Sequence, residues 1–467
     1  MTPLAGLVSL AMPLAIGYSL TGVVGPREPW TGGNGLRLVI AAALGVGACS
    51  MLFFLSLATG APPFLFEACL LTALAIALYG RRPYGKPRAA RKPGASARER
   101  VLWGLFWVLT AANVVAFGYR VIHWPRGGWD GWAIWNLRAR SLYLAADWRD
   151  AFSPALAASH TDYPLLIPCF IAREWQGWDA ETTLVPILLA GAFAAAVLFV
   201  LVRTLHELQG RTHALAAGIL FLATPLVTAI AAAQYADVTL SCFFLTALVL
   251  QYFADESAEP GRFLVLSGLA AGLAAWTKNE GLLFVAALVA ARAVAAGASA
   301  GWRTALRQAA SLLAGAAPCL ALIVYFRRTL ALTGDILGKF ATPAFAHDLA
   351  DPHRYLTIAW AYVKHIWSFG NPFVGGIVLL AAYLLCTGIA LPRKHDTGFW
   401  TGVGVLGVVL AGYFMVYVVT PNDLHWHLDT SLDRLYLQLW PAALWAAMLA
   451  ALQRDGERAD STGSNVL

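Results

Sequence analysis

Five short stretches of this sequence carry side chains able to move protons or hold a phosphate. The first, Gly127-Gly128-Trp129-Asp130-Gly131-Trp132, sets one carboxylate in a glycine-rich bend lined with tryptophan. Glycine permits close approach and unusual backbone angles. Apolar rings around a carboxylate strengthen it as a general base. Asp130 is therefore a candidate base, and the competing reading is a capping Asp at the start of an interfacial helix. In His160-Thr161-Asp162-Tyr163-Pro164, His160 and Asp162 could bind a metal, orient a substrate or form a turn ahead of the proline. Tyr235-Ala236-Asp237-Val238 joins two apolar runs with almost no loop. An acid so near a bilayer is costly and marks a site or an ion pair, unless it caps a helix. In Thr277-Lys278-Asn279-Glu280-Gly281, Lys278 and Glu280 either pair with each other or serve a phosphate together. The fifth stretch, His425-Trp426-His427-Leu428-Asp429-Thr430-Ser431-Leu432-Asp433-Arg434, ends on an Arg. Arg434 can grip phosphate with a bidentate fork or snorkel to headgroups. His425 and His427 are spaced as a metal pair but lack a third ligand.

The elements that position these groups are membrane helices. Of 467 residues 59% are hydrophobic and 13% charged, where a soluble domain carries roughly 25% charge. Runs such as Leu36 to Ala58, Val101 to Tyr119, Leu184 to Val202, His213 to Ala232, Gly281 to Gly297 and Gly398 to Val419 are continuous and apolar. About 20 such residues span a hydrocarbon core, and backbone polar groups inside lipid must be satisfied within the segment. The fold class expected is all-α and polytopic, with about 13 spans on that length criterion. They fall near 4–24, 36–58, 62–79, 101–120, 184–202, 213–232, 238–254, 263–276, 281–298, 309–326, 372–390, 399–419 and 435–452. Leu4 to Val24 lacks a basic region before it and reads as a retained helix, not a cleaved signal. The six cysteines are scattered without a Cys-x-x-Cys spacing and read as small core hydrophobes.

Orientation follows from charge. The stretch Arg81 to Arg100 holds Arg81, Arg82, Lys86, Arg88, Arg91, Lys92, Arg98 and Arg100 against the single acid Glu99. Such a loop faces the cytoplasm; it explains the net charge of +7 without nucleic acid. Alternating sides from there puts Arg203 and Arg211, Arg303 and Arg307, Arg393 and Lys394, and the polar tail 453–467 inside. It puts Ile122 to Thr183, Gln234 to Asp237, Lys278 to Glu280, Arg327 to Asn371 and Thr420 to Arg434 outside. All five chemical stretches thus fall on one face. The long outer loops carry Trp124, Trp129, Trp132, Trp135 and Tyr143, then Tyr355, Trp360, Tyr362 and Trp367. These predict helices lying in the interface, with aromatic anchoring sufficient to explain most of the rings. Glu67 and Arg292, charged groups in or beside apolar runs, fit no part of this scheme.

Together these motifs resemble the GT-C superfamily of membrane glycosyltransferases, the protein O-mannosyltransferase and lipid A aminoarabinose transferase branch above all. The resemblance spans residues 101–450 and rests on Trp129-Asp130, Asp162-Tyr163-Pro164, Tyr235-Ala236-Asp237, Thr277-Lys278-Asn279-Glu280-Gly281 and Ser431-Leu432-Asp433-Arg434. It implies a donor sugar on a polyprenyl phosphate, an acceptor left open, and chemistry at the outer face of the cytoplasmic membrane. It implies that the acid of the first outer loop, here the catalytic candidate Asp130, serves as base or helps position the acceptor. Gly131 stands where some relatives carry a second acid; Asp162 or Asp237 would have to supply it if one is needed. The resemblance divides the chain into three N-terminal helices with the basic loop (1–100), a catalytic membrane domain (101–452) and a disordered tail (453–467). It leaves the first three helices without a role.

The mechanism expected is inverting transfer. Asp130 takes the acceptor proton, and Lys278 and Arg434 stabilise the departing phosphate. His160, Asp162, Tyr163, Asp237, Asn279, Glu280 and His427 bind substrate or support the site. No cofactor is assigned, and a divalent metal stays an open expectation. The rival class is a multi-pass transporter or lipid flippase, which typically shows repeats and polar residues near the bilayer midplane. No repeat is found. A scaffold of an envelope complex is the third class.

Overall fold

The computed structural model describes residues 3–81, 96–331, 343–371, 373–392 and 396–452. Most of the basic stretch and the whole tail 453–467 lie outside the described residues, as do Arg393 and Lys394. Among those described the chain is helical, with one isolated bridge between Ile389 and Ala451. Helices α1 (Pro3–Val23), α2 (Gly33–Thr59) and α3 (Leu65–Tyr79) come first. A capping box opens α4 (Ala97–His123): Glu99 N–H donates to the Ser96 hydroxyl, and the Glu99 carboxylate accepts from Ser96 N–H. The first long loop folds as a π-helical turn (Gly131–Asn136), α5 (Leu137–Leu144), two 3-10 turns and α6 (Leu166–Trp178). Then follow α7 (Leu184–Leu222), α8 (Pro225–Ala232), α9 (Ala236–Phe253), α10 (Pro260–Thr277), α11 (Glu280–Ala300) and α12 (Trp302–Thr329). The second long loop carries α13 (Pro343–Ala350) and α14 (Pro352–Ser368), and α15 (Gly376–Thr387), α16 (Thr397–Val418) and α17 (Leu424–Leu449) complete the chain.

Eight of these helices are long and apolar enough to cross a membrane: α1, α2, α4, α7, α9, α11, α12 and α16. A total near 13 needs α3, α10, α15, α17 and the second arm of α7 to cross as well. The protein is a multi-pass membrane protein. Helix α9 forms its axis, with Phe243, Phe244, Leu245 and Leu248 all fully buried. Helix α4 lies at the periphery, presenting Val108, Val114 and Val115 to the surroundings, as a lipid-facing helix should. Helices α10 and α12 cross closely because both are glycine at the contact. A Cβ on Gly268 or Gly315 would lie 1.9 Å from a carbonyl oxygen of the other helix.

Two boundaries differ from expectation. The runs 184–202 and 213–232 are not two simple spans. Helix α7 continues to Leu222, interrupted at Gly210, whose φ of 82° breaks the helical path; α8 then starts anew at Pro225. The last helix begins eleven residues before 435, at Leu424, because the Asp423 carboxylate caps it by accepting from Trp426 N–H at 2.9 Å. The stretch 424–434 is therefore helical, not a loop.

The molecule has two chemically distinct ends. At one, Arg81 donates to the carbonyls of Gly22 and Gly25, Arg27 N–H donates to Glu259, and Asp255 accepts from Gly398 N–H. Arg292, unexplained by sequence, pairs with Asp255 here and also holds Gln251 and Gln308. This end carries the start of the basic stretch. All five chemical stretches gather at the other end.

Candidate functional site

The site is built from the ends of four helices and the first loop. The α8–α9 connection turns at Gln234, whose φ of 60° is unusual for a side-chain-bearing residue. Its side chain fixes the turn: Nε2 donates to the Pro125 carbonyl at 3.0 Å, and Oε1 accepts from Asn136 at 2.7 Å. The glycine-rich bend lies directly on this turn. Gly128 N–H donates to the Ala233 carbonyl at 2.9 Å, and a Cβ at Gly131 would sit 2.4 Å from that same oxygen. Gly127, with φ of 79°, makes the reversal into the bend. Close backbone approach is thus what the glycines supply, and it brings Asp130 to the mouth of α9 and α17.

Asp130 immediately precedes the π-helical turn, at its N-cap, yet makes no capping hydrogen bond. Its carboxylate instead accepts from the Arg434 guanidinium at 2.6 Å. Arg434 also donates to Asp237 from Nε (3.1 Å) and Nη2 (2.9 Å), and lies 4.6 Å from the Tyr235 ring centre. Asp237 is fully buried, while the Asp130 and Arg434 side chains are 16% and 19% exposed. The other oxygen of Asp237 accepts from Lys278 at 3.2 Å and from Gln438 at 2.5 Å. Lys278 pairs in addition with Glu280 at 2.7 Å. Lys278 and Glu280 therefore pair with each other, and the pair joins the larger cluster through Asp237. Glu280 stays partly open to the exterior.

A second tier surrounds this core. Asn279 donates to Asp162 at 2.9 Å and accepts from Arg327 at 2.7 Å. Tyr163 stacks with both Trp135 and His160, at centroid distances of 5.6 and 4.9 Å. Trp135 is thereby buried in the site and is no interfacial anchor, whereas Trp124, Trp129 and Trp132 are exposed. Arg138 pins the turn from within, donating to the carbonyls of Tyr163, Ser159 and His160. Burial pushes the Arg138 guanidinium pKa down to about 10, with nearby Asp162 opposing the fall; the group is still cationic at neutral pH. Burial likewise holds the Tyr163 phenol well above its ordinary value despite Lys278 nearby, so it stays protonated. His427 bonds the Thr420 hydroxyl at 2.8 Å and packs on Tyr417. Asp433 turns away from the cluster to His365 of α14, at 2.8 Å.

Every residue singled out for the site thus lies at this end, and Asp130, Asp237, Lys278, Glu280 and Arg434 form one continuous ionic chain. Among the described residues no three His, Cys, Asp or Glu side chains are gathered as metal ligands. Sequence reading missed Gln234, Arg138, Arg327 and Gln438. Gln438 had a signal, one helical turn after Arg434 on the same face. The others are set by tertiary contacts.

A family model described as dolichyl-phosphate-mannose-protein mannosyltransferase matches residues 177–326. The match supports a GT-C superfamily membrane glycosyltransferase. It covers α7 to α11 and most of α12 and so includes Asp237, Lys278, Asn279 and Glu280, while Asp130 and Arg434 lie outside it. No curated protein and no solved structure matches the chain. The matched segment contributes Asp237, Lys278 and Glu280 to the ionic chain, and the flanking segments contribute Asp130 and Arg434.

Proposed function

We propose that the protein transfers a sugar from a polyprenyl-phosphate donor to an acceptor hydroxyl, with inversion, at the extracytoplasmic face of the cytoplasmic membrane. The supporting observation is Arg434, which bridges the part-exposed Asp130 and the buried Asp237 at the end opposite the basic stretch. Asp130 removes the acceptor proton as that oxygen forms its bond to the anomeric carbon. The bond from that carbon to the phosphate oxygen breaks, and the electron pair leaves on polyprenyl phosphate. Lys278 and Arg434 stabilise the negative charge that develops there. Asp237, held by Lys278, Gln438 and Arg434, keeps both cations aimed at one point.

The resting pairing has a mechanistic consequence. Around the cluster four carboxylates (Asp130, Asp162, Asp237, Glu280) face four cations (Arg138, Lys278, Arg327, Arg434), so a phosphate enters by exchange. Its oxygens compete with Asp130 for Arg434, and the freed carboxylate becomes available as the base. Donor binding and base activation are then one event.

The decisive experiment is reconstitution in liposomes with a polyprenyl-phosphate-linked sugar. Covalent transfer with inverted anomeric configuration supports the reading. Solute or lipid flux without any covalent product replaces it with the transporter class.

A further inference from the structure

Helices α1 to α3 precede both the first outer loop and the segment matched by the family model, yet they contact the loop through buried polar groups. Arg173, on α6, is fully buried and forks onto Glu67 of α3, with Nε to Oε1 at 2.7 Å and Nη2 to Oε2 at 2.5 Å. Its remaining nitrogen reaches Glu174 and the Ser9 carbonyl of α1. Ser9 closes the ring by donating its hydroxyl to Glu174 at 2.8 Å. Nearer the site, Ser50 of α2 accepts from the Trp276 indole N–H at 3.1 Å and donates to the Leu165 carbonyl at 3.4 Å.

The placement of those partners is specific. Leu165 and α6 follow immediately after Asp162-Tyr163-Pro164, and Trp276 stands two residues before Lys278. A buried ion pair commonly gains little net stability over apolar packing, but it fixes geometry, because either charge left alone is costly. Here the geometry fixed is that of α6, and through it the segment whose Asp162 bonds Asn279.

We propose that the three N-terminal helices are a working part of the sugar-transfer site, with Glu67 and Ser50 as positioning residues. Glu67 sets α6 through Arg173. Ser50 sets the spacing between the Asp162–Tyr163 turn and the Lys278 turn. This rests on the transferase reading for its consequence in turnover, but the positioning itself has a physical readout.

The test uses the full-length protein and the variants Glu67→Gln, in which Arg173 keeps Glu174 as its counter-charge, and Ser50→Ala. Hydrogen–deuterium exchange is followed over residues 159–178 and 274–281, with α16 as the internal control. The expected result is at least tenfold faster exchange in 159–178 for both variants, and in 274–281 for Ser50→Ala, with α16 unchanged. Unchanged exchange in those segments, or equal acceleration in α16, overturns the proposal. Transfer kinetics then give the link to the site. Glu67→Gln combined with Asp162→Ala should be no slower than Asp162→Ala alone, since both act through one turn. Fully multiplicative losses overturn that link. A wild-type protein without transfer activity overturns the transferase reading and leaves the exchange result to decide the positioning.

Discussion

Asp130 and Arg434, separated by 304 positions in the chain, meet at 2.6 Å at the mouth of the bundle. Neither lies in the matched segment 177–326. The same guanidinium continues to Asp237, which does. One arginine therefore couples three distant parts of the sequence, and its replacement should affect folding and turnover together. Arg434→Ala leaves Asp237 buried with one cation fewer. Breaking a buried pair in this way costs about 3–5 kcal/mol. A lowered melting temperature in detergent together with loss of transfer is expected. Arg434→Lys keeps the charge but loses the fork that serves both carboxylates; it should recover most of the stability and little of the rate.

Asp130 behaves differently because it is part-exposed and caps no helix. Asp130→Asn keeps the shape and one acceptor for Arg434, so the protein should melt within a few degrees of wild type. Loss of a general base typically costs about 10²–10⁴ in rate. Turnover should fall by that range while donor KM stays constant or drops, since Arg434 is then freer for phosphate. Steady-state kinetics on liposome-embedded enzyme measure both. Full activity in Asp130→Asn would remove the base assignment.

The two scales of information in the sequence were unequal. Continuous apolar runs revealed the helices, because that signal is local. Charge asymmetry, with Arg81 at one end and Asp130 at the other, predicted that the five polar stretches share an end. Pairing between distant segments was not legible, although the local Lys278–Glu280 pair was. Nothing local says that Glu67 meets Arg173, that Arg138 collects three loop carbonyls, or that Arg292 pairs with Asp255. Helices α17 and α7 are bounded differently from the apolar runs, because Asp423 caps a helix that starts within a polar stretch and Gly210 interrupts α7 without ending it.

The glycine-rich bend offers a test of geometry without a change of charge. A Cβ at residue 131 meets the Ala233 carbonyl oxygen at 2.4 Å, a backbone atom that cannot rotate away. Gly131→Ala must push the π-helical turn off the α8–α9 connection and draw Asp130 back from Arg434. Overpacking of this kind costs about 1–3 kcal/mol. Misplacement of a reacting group by about 1 Å can cost on the order of 10²-fold. Transfer should therefore fall far more than stability, and the loss should appear in kcat. Gly118, whose added Cβ would meet nothing within 4 Å, is the control: Gly118→Ala should leave transfer unchanged.

Arg292 gives the opposite dissociation. It is as buried as any group in the site, holding Gln251 and Gln308 and pairing with Asp255. Its contacts lie at the end carrying Arg81, more than half the length of α11 away from Glu280 and Lys278. Arg292→Met fills much of the volume but leaves Asp255 without its cation and Gln251 Oε1 without a donor. An unsatisfied buried acceptor costs about 1–3 kcal/mol, and the lost ion pair adds to it, so the melting temperature should drop. Donor KM and kcat, measured well below that temperature, should match wild type. A selective rise in donor KM for Arg292→Met would mean that the two ends communicate through α11, which starts at Glu280 beside Lys278.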